Sequence, residues 1–289
     1  MQDQAPALCY RMRSTIEAFP ALRRVLLFVV IAICSSAAVR AEYYPLRLGY
    51  EAVFKGSYAG YPVTLTRSVP ERVLVNSVPC MVELQETRWQ TLSIFSAAAL
   101  ARIDGDLVMY RECLGDDPCY TFSSPTMALP RAPWYPQQSW RMYTSEYSYV
   151  NRTVISTNAD VTVPYGHFPN CVLLQESEPY GSSTYAWLAD GYGVVKAQIP
   201  YYGTPVVLEL AALTIPPATA PTVTITSPAA GQTVTNGPTV AISGKAFCDS
   251  TLSSVKWSSD RGGSGTCSGL NYWQVQAAPL QAGTNRFTI

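Results

Sequence analysis

The sequence has 289 residues, with 20 Lys and Arg balanced by 20 Asp and Glu and a single histidine. Charged residues make up 14%, against about 25% in an ordinary soluble domain, and no basic stripe is present to neutralise phosphates. That excludes nucleic acid as a partner. The 19 Tyr, 22 Pro and 18 Gly suit short strands and many turns better than long helices, and the length allows one large or two modest domains.

At the N-terminus, Arg23-Arg24 precede the uncharged run "VLLFVVIAICSSAAV" (25–39), and Val39-Arg40-Ala41 places small residues at a cleavage position. This order predicts a secretory signal peptide over residues 1–41, cut after Ala41, with Met12 giving the more ordinary start. The run is shorter than the 18 or so residues that usually span a membrane, so a retained anchor ranks below cleavage. A lipid anchor on Cys34 ranks lower still, because Ile33 stands where a small residue is wanted. The expectation is export to the periplasm, cell surface or exterior, with membrane contact only through an uncleaved leader.

Residues 42–214 read as a succession of short strands. "RVLVNSV", "CMVELQETRW" and "DLVMYREC" alternate with a period near two, as do "TVISTNADVTVP" and "NCVLLQES". "QTLSIFSAAALARI" (90–103) is rich in Ala and Leu and reads as a short helix or a strand. "IDGD" (103–106) is a tight hairpin signal. The fold class expected here is all-β, an antiparallel curved sheet or an open barrel. Residues 215–221, with Pro216, Pro217 and Pro221, form a stiff Pro-rich linker. Residues 222–289 then show strand signals with turns every 8–12 residues, as a small β-sandwich requires.

Two resemblances sharpen this division. The order "YYPLRLGYEAVF" (43–54), "VTVPYGHFPNCVLL" (161–174) and "YAWLADGYGVVKAQI" (185–199) resembles exported and lipid-anchored bacterial β-rich envelope proteins of unassigned function. Ala52 and His167 depart from that group's pattern. The resemblance implies an envelope location and supplies no catalytic residues. Residues 222–289, with "SPAAG", "AISGKA", "VKWSSDRGGSG" and "WQVQAAPL", resemble bacterial Ig-like modules of secreted and surface proteins. Such a module ordinarily runs on through one more strand, so the sandwich is expected to be truncated at Ile289.

Six cysteines follow the leader, and an oxidising compartment predicts disulfides among them. Cys113 and Cys119 flank "LGDDP" and close locally. Cys248 and Cys267 share the last domain, which leaves Cys80 with Cys171.

No nucleophile–base motif is present, and neither a cofactor nor a metal is expected. His167, in a Pro- and Gly-bounded turn, has no partner nearby in sequence. The acidic pairs Asp104/Asp106, Asp116/Asp117 and Glu176/Glu178 are explained by solvated turns more cheaply than by glycoside chemistry or calcium. Gly191 and Gly193, and the glycines of "RGGSG" (261–265), lack the following helix an anion cradle needs and read as hairpins. Trp134, Tyr135 and Trp140 are candidate ligand-facing aromatics, with core packing the commoner role for such residues.

The sequence thus predicts an exported, non-catalytic envelope or extracellular protein with a binding, adhesion or structural role. Its partner would be an envelope component, a polysaccharide or another protein. The alternatives are accessory domains of a longer secreted hydrolase and a carrier of lipid or envelope components.

Overall fold

The computed structural model describes residues 42–289, apart from 116, 146–147, 179–180, 182, 202–203, 231, 233–236 and 250–251. The expected leader, with Cys34, lies outside these residues, as does Asp116. Alternating side chains and short connections, several of two residues, build twelve strands: β1 (Glu51–Tyr58), β2 (Tyr61–Val75), β3 (Val78–Trp89), β4 (Leu92–Ile103), β5 (Asp106–Leu114), β6 (Tyr120–Leu129), β7 (Ser139–Tyr143), β8 (Tyr149–Val163), β9 (Gly166–Ser177), β10 (Ser183–Ala189), β11 (Gly193–Tyr201) and β12 (Thr204–Thr214). They form one antiparallel sheet in the order β6-β5-β4-β3-β2-β1-β12-β11-β10-β9-β8-β7.

The sheet curls into a nearly closed barrel, because its two end strands come side by side. Across that seam the bonds run from side chains to backbone. Trp140 Nε1 donates to the Ala128 carbonyl at 3.0 Å, and Arg152 Nη1 donates to the same oxygen at 2.7 Å. The Tyr143 amide donates to Thr126 Oγ1 at 2.8 Å. The "IDGD" hairpin forms as expected, with Asp104 and Gly105 at φ 52° and 95°. That pair of positive φ values is what a type I′ turn needs and what glycine adopts at no steric cost.

The Ala-rich segment is strand β4, not helix. Its inward row, including Ala98 and Leu100, belongs to the barrel core, while Ala99 and Ala101 are buried on the outer face. A strand covered on both sides reads as a continuous apolar run and loses the alternation that would identify it.

The cover on the outer face is the C-terminal module. Strands β13 (Thr222–Ser227), β14 (Thr239–Phe247) and β17 (Tyr272–Pro279) form one sheet in the order β13-β14-β17. The second sheet, β16-β15-β18, comprises β15 (Lys256–Ser259), β16 (Ser264–Thr266) and β18 (Phe287–Thr288). Between them lie Val240, Ile242, Ala246, Val255, Trp273, Val275 and Ala278. The Trp273 ring lies so close over Gly244 that a Cβ there would collide with it. The glycine stretch is the β15–β16 hairpin, in which Ser259 N donates to the Gly263 carbonyl at 3.0 Å.

Phe247 packs on Val75, Val78, Cys80, Ala99, Ala101 and Tyr110, the outer face of the barrel. Polar contacts fix the same junction. Asp104 N donates to Asn271 Oδ1 at 2.8 Å, and Asp104 Oδ1 accepts from the amides of Leu270 and Asn271. The linker is tied down as well: Arg47 Nη1 donates to the Pro216 carbonyl, and Thr219 N donates to Asp249.

Candidate functional site at the plugged end of the barrel

The three signatures that set the first domain apart converge at one end of the barrel. Glu42–Tyr50 crosses that end as a plug, with Tyr44, Leu46 and Tyr50 essentially inaccessible to solvent. At one side the plug meets the β10–β11 turn: Gly191 N donates to the Glu42 carbonyl at 3.1 Å, and Glu42 N donates to Asp190 Oδ1 at 2.7 Å. At the other it meets β4, where Arg102 Nη2 donates to the Tyr44 carbonyl at 2.7 Å. Gly193 leaves room for this crossing, since a Cβ there would stand 3.2 Å from Pro45 Cδ and 3.3 Å from Arg67 Nη1. Tyr50 hydroxyl donates to the Tyr192 carbonyl at 3.0 Å, Phe168 packs edge-on against Tyr192, and Tyr165 stacks on Phe168.

Beneath the plug, Arg67 on β2 is fully buried and pairs with Glu83 on β3, Nε to Oε2 at 2.5 Å. Its guanidinium lies 3.7 Å from the Tyr44 ring centroid and 4.8 Å from that of Tyr50. The Tyr44 hydroxyl donates to the same Glu83 oxygen, and Gln85 Nε2 donates to Glu83 Oε1 at 2.6 Å. Burial alone pulls the Arg67 pKa down, but Glu83, Tyr44 and Tyr50 outweigh it and push it above its ordinary value. Burial raises the Tyr50 pKa, with Arg67 opposing and Glu83 adding to the rise. A charged pair enclosed in this way must be matched bond for bond, and the plug supplies much of the match.

A second buried group stands at the seam. Arg152 on β8 bonds Glu176 on β9, Nε to Oε2 at 2.7 Å, while holding the Ala128 carbonyl across the gap. Glu112 on β5 is buried beside them, and its Oε2 has no hydrogen-bond partner among the described residues. Its pKa is pushed up to about 8, mainly by burial and also by Glu176, with Arg152 opposing. Sequence reasoning missed both Arg67 and Arg152, because an isolated Arg in an alternating strand gives no sign of which face it occupies.

The expected site residues are used differently from a ligand platform. Trp134 is buried, stacks on Tyr43 and tilts against Trp140, and both indole N–H groups bond backbone carbonyls. Only Tyr135 of the three stands out into solvent. His167 pairs with Asp160 at 2.5 Å on the surface, with both side chains more than half exposed, where such a pair contributes little. Asp106 accepts from the Arg131 amide, Asp104 holds the Ig-like module, and Glu176 holds Arg152. Among the described residues, no group of three His, Cys, Asp or Glu is placed to hold a metal ion.

The Cys113–Cys119 disulfide is present. The other two expected bridges are not, and the topology gives the reason. Cys80 lies on the outer face of β3 under the Ig-like module, whereas Cys171 lies on β9 in the barrel core. Cys267 belongs to the sandwich core, while Cys248 turns towards the barrel and walls a small cleft with Leu46, Met81 and Arg102. Burial pushes the Cys80 thiol up to about 12 and the Cys171 thiol up to about 11. Thiols held so far from the thiolate are poor nucleophiles. Native protein treated with iodoacetamide at pH 8 is therefore expected to keep Cys80, Cys171 and Cys267 unmodified by mass spectrometry until denaturant is added. Rapid labelling of Cys80 or Cys171 in the native state would contradict their placement.

Together these features define an all-β protein of two parts, a plugged antiparallel barrel with a small sandwich fixed to its outer face. Residues 221–289 match the family model for the bacterial Ig domain, so the sandwich resembles an Ig-like module of bacterial type. Two solved structures are similar to the chain. A Bacteroides fragilis NCTC 9343 protein, described as exported and of YmcC-like fold, is 15% identical, with 60% of this chain and 99% of that one covered at a TM-score of 0.36. A Parabacteroides distasonis ATCC 8503 protein described as a lipoprotein is 12% identical, covering 62% and 100% of the two chains at a TM-score of 0.32. No curated protein matches the chain.

Proposed function

We propose that this is an exported, non-catalytic protein of the bacterial cell envelope or exterior, which serves as a rigid binding or structural unit. The observation that carries the reading is the use made of the three signatures. Within them Tyr44, Tyr50 and Phe168 are buried and close the barrel end, Tyr44 on Glu83, Tyr50 on the Tyr192 carbonyl and Phe168 against the Tyr192 ring, a use that favours a structural role over the display of an acid, a base or a nucleophile. The Ig-like module supports the same reading, because it is anchored to the barrel through Phe247, Asp104 and the linker rather than hanging as a tether. A carrier role is less well supported, since Tyr44, Tyr50, Phe54, Arg67 and Arg152 occupy the interior where cargo would lie.

The test is co-sedimentation of the purified chain with bacterial sacculi and, separately, with envelope membranes, while soluble products are monitored. Retention on one of them without release of sugars or peptides is the expected result. Steady release of products would show an enzyme and overturn the proposal, and failure to bind either material would remove the envelope-binding role.

A further inference from the structure

Strand β13 is the first strand of the Ig-like module and ends its three-stranded sheet, so one side of its backbone is open among the described residues. Natural sheet edges are usually guarded by a charge, a proline or a bulge that turns the edge away. β13 reads Thr222-Val223-Thr224-Ile225-Thr226-Ser227 and carries no charge and no proline, and all six residues are exposed. Val223 and Ile225 pair with Ala246 and Gly244 of β14, which places them on the inner face of the sandwich with Val240 and Ile242. Even so they remain 44% exposed. Beside this face runs a groove of about 500 Å³, lined by Pro228, Val240, Ile242, Leu280 and Phe287 among others and, among the described residues, by no charged side chain.

We propose that β13 is a homodimerisation edge, pairing antiparallel with β13 of a second copy across a two-fold axis at Thr224. The occupant follows from the sequence of the strand. In a two-fold contact the residue on the axis meets its own mate and every other residue meets a fixed partner, so a charge on the axis, or like charges at paired positions, would oppose one another. This edge has none, and Thr-Val-Thr-Ile-Thr is nearly palindromic about Thr224. Antiparallel pairing there sets Val223 against Ile225 of the second copy on the inner face. On the outer face Thr224 meets its own mate and Thr222 meets Thr226. β-branched pairs and Thr–Thr pairs are favourable cross-strand neighbours. The joined sheet has six strands, and the four apolar side chains form one strip that is less exposed than either half. The register shift at the end of β13, between Ile225 and Ser227, limits the ladder to about these five positions, so the dimer is expected to be weak to moderate.

The experiment is sedimentation velocity of the purified chain over roughly a hundredfold range of concentration into the high micromolar, with two variants. The wild type is expected to shift from monomer to dimer across the range. Thr224→Glu is tolerated within the module, where Lys245 is its cross-strand neighbour, but sets two carboxylates face to face at the axis. It is expected to weaken dimerisation at least tenfold with an unchanged Tm. Thr224→Cys is expected to form a reductant-sensitive covalent dimer, while Thr222→Cys, whose mate lies at position 226, cross-links far more slowly. A wild type monomeric throughout, a dimer indifferent to Thr224→Glu, or equal cross-linking of the two cysteine variants would each overturn the proposal.

Discussion

Replacing Arg67 with methionine is expected to destabilise the barrel by about 3 to 5 kcal/mol, the usual cost of stripping one partner from a buried ion pair. Glu83 would be left as an enclosed carboxylate without the guanidinium that neutralises it, although Tyr44 and Gln85 still donate to it. In a domain of this size each kcal/mol moves Tm by roughly 2–4 °C, so thermal unfolding should shift down by about 10 °C. The loss should be mostly recovered in the double variant Arg67→Met/Glu83→Gln. The amide removes the uncompensated charge, its oxygen still accepting from Gln85 while its NH2 donates to the Tyr44 hydroxyl oxygen. Nor is the guanidinium itself fully used, because Arg67 Nη2 has no hydrogen-bond partner among the described residues. If Arg67→Met unfolds at the wild-type temperature, the pair does not hold the plugged end together.

The second large effect concerns pH. Glu112 has its folded pKa raised to about 8 from an ordinary 4.5, so between these values the folded state binds more protons than the unfolded one. Stability contributed by the neutral carboxyl is full below about pH 4.5 and is lost as pH rises towards 8, by at most about 1.4 kcal/mol per pH unit. Glu112→Gln keeps a neutral, hydrogen-bonding group in place at every pH. Denaturant titrations at pH 5 and pH 8.5 should show the variant close to wild type at the lower value and clearly more stable at the higher. The site matters because Arg152, the neighbour of Glu112, also holds the seam through the Ala128 carbonyl. A wild type and variant that differ equally at both pH values would show that Glu112 does not titrate in this window.

Much of the architecture was legible in the chain. Period-two alternation marked most strands, and "IDGD" and the Gly191/Gly193 pair marked hairpins that form. What escaped reading has physical causes. The Ala-rich strand was open to either a helical or an extended reading because the C-terminal module buries its outer row, a tertiary fact that no local pattern carries. The cysteine pairing was argued from domain membership, but Cys80 and Cys171 lie on different faces of the sheet and Cys248 turns away from its own module. Trp134 and Trp140, candidates for a ligand face with core packing ranked ahead of it, pack beside the plug, with the Trp140 indole spanning the seam. The Tyr-Pro-Leu and Gly-Tyr-Gly signatures were visible as motifs, but that one plugs the barrel against the other depends on contacts some 150 residues apart in the chain.

On the proposed reading, the motif residues and the buried Arg67–Glu83 pair beneath them build the fold, and binding belongs to the surface. The double variant Arg67→Met/Glu83→Gln tests it most directly, through its retention on envelope material measured beside its Tm. The expected result is a folded protein, close to wild type in Tm, that is retained as the wild type is. A variant that folds normally yet loses retention would show that the buried pair belongs to a functional site.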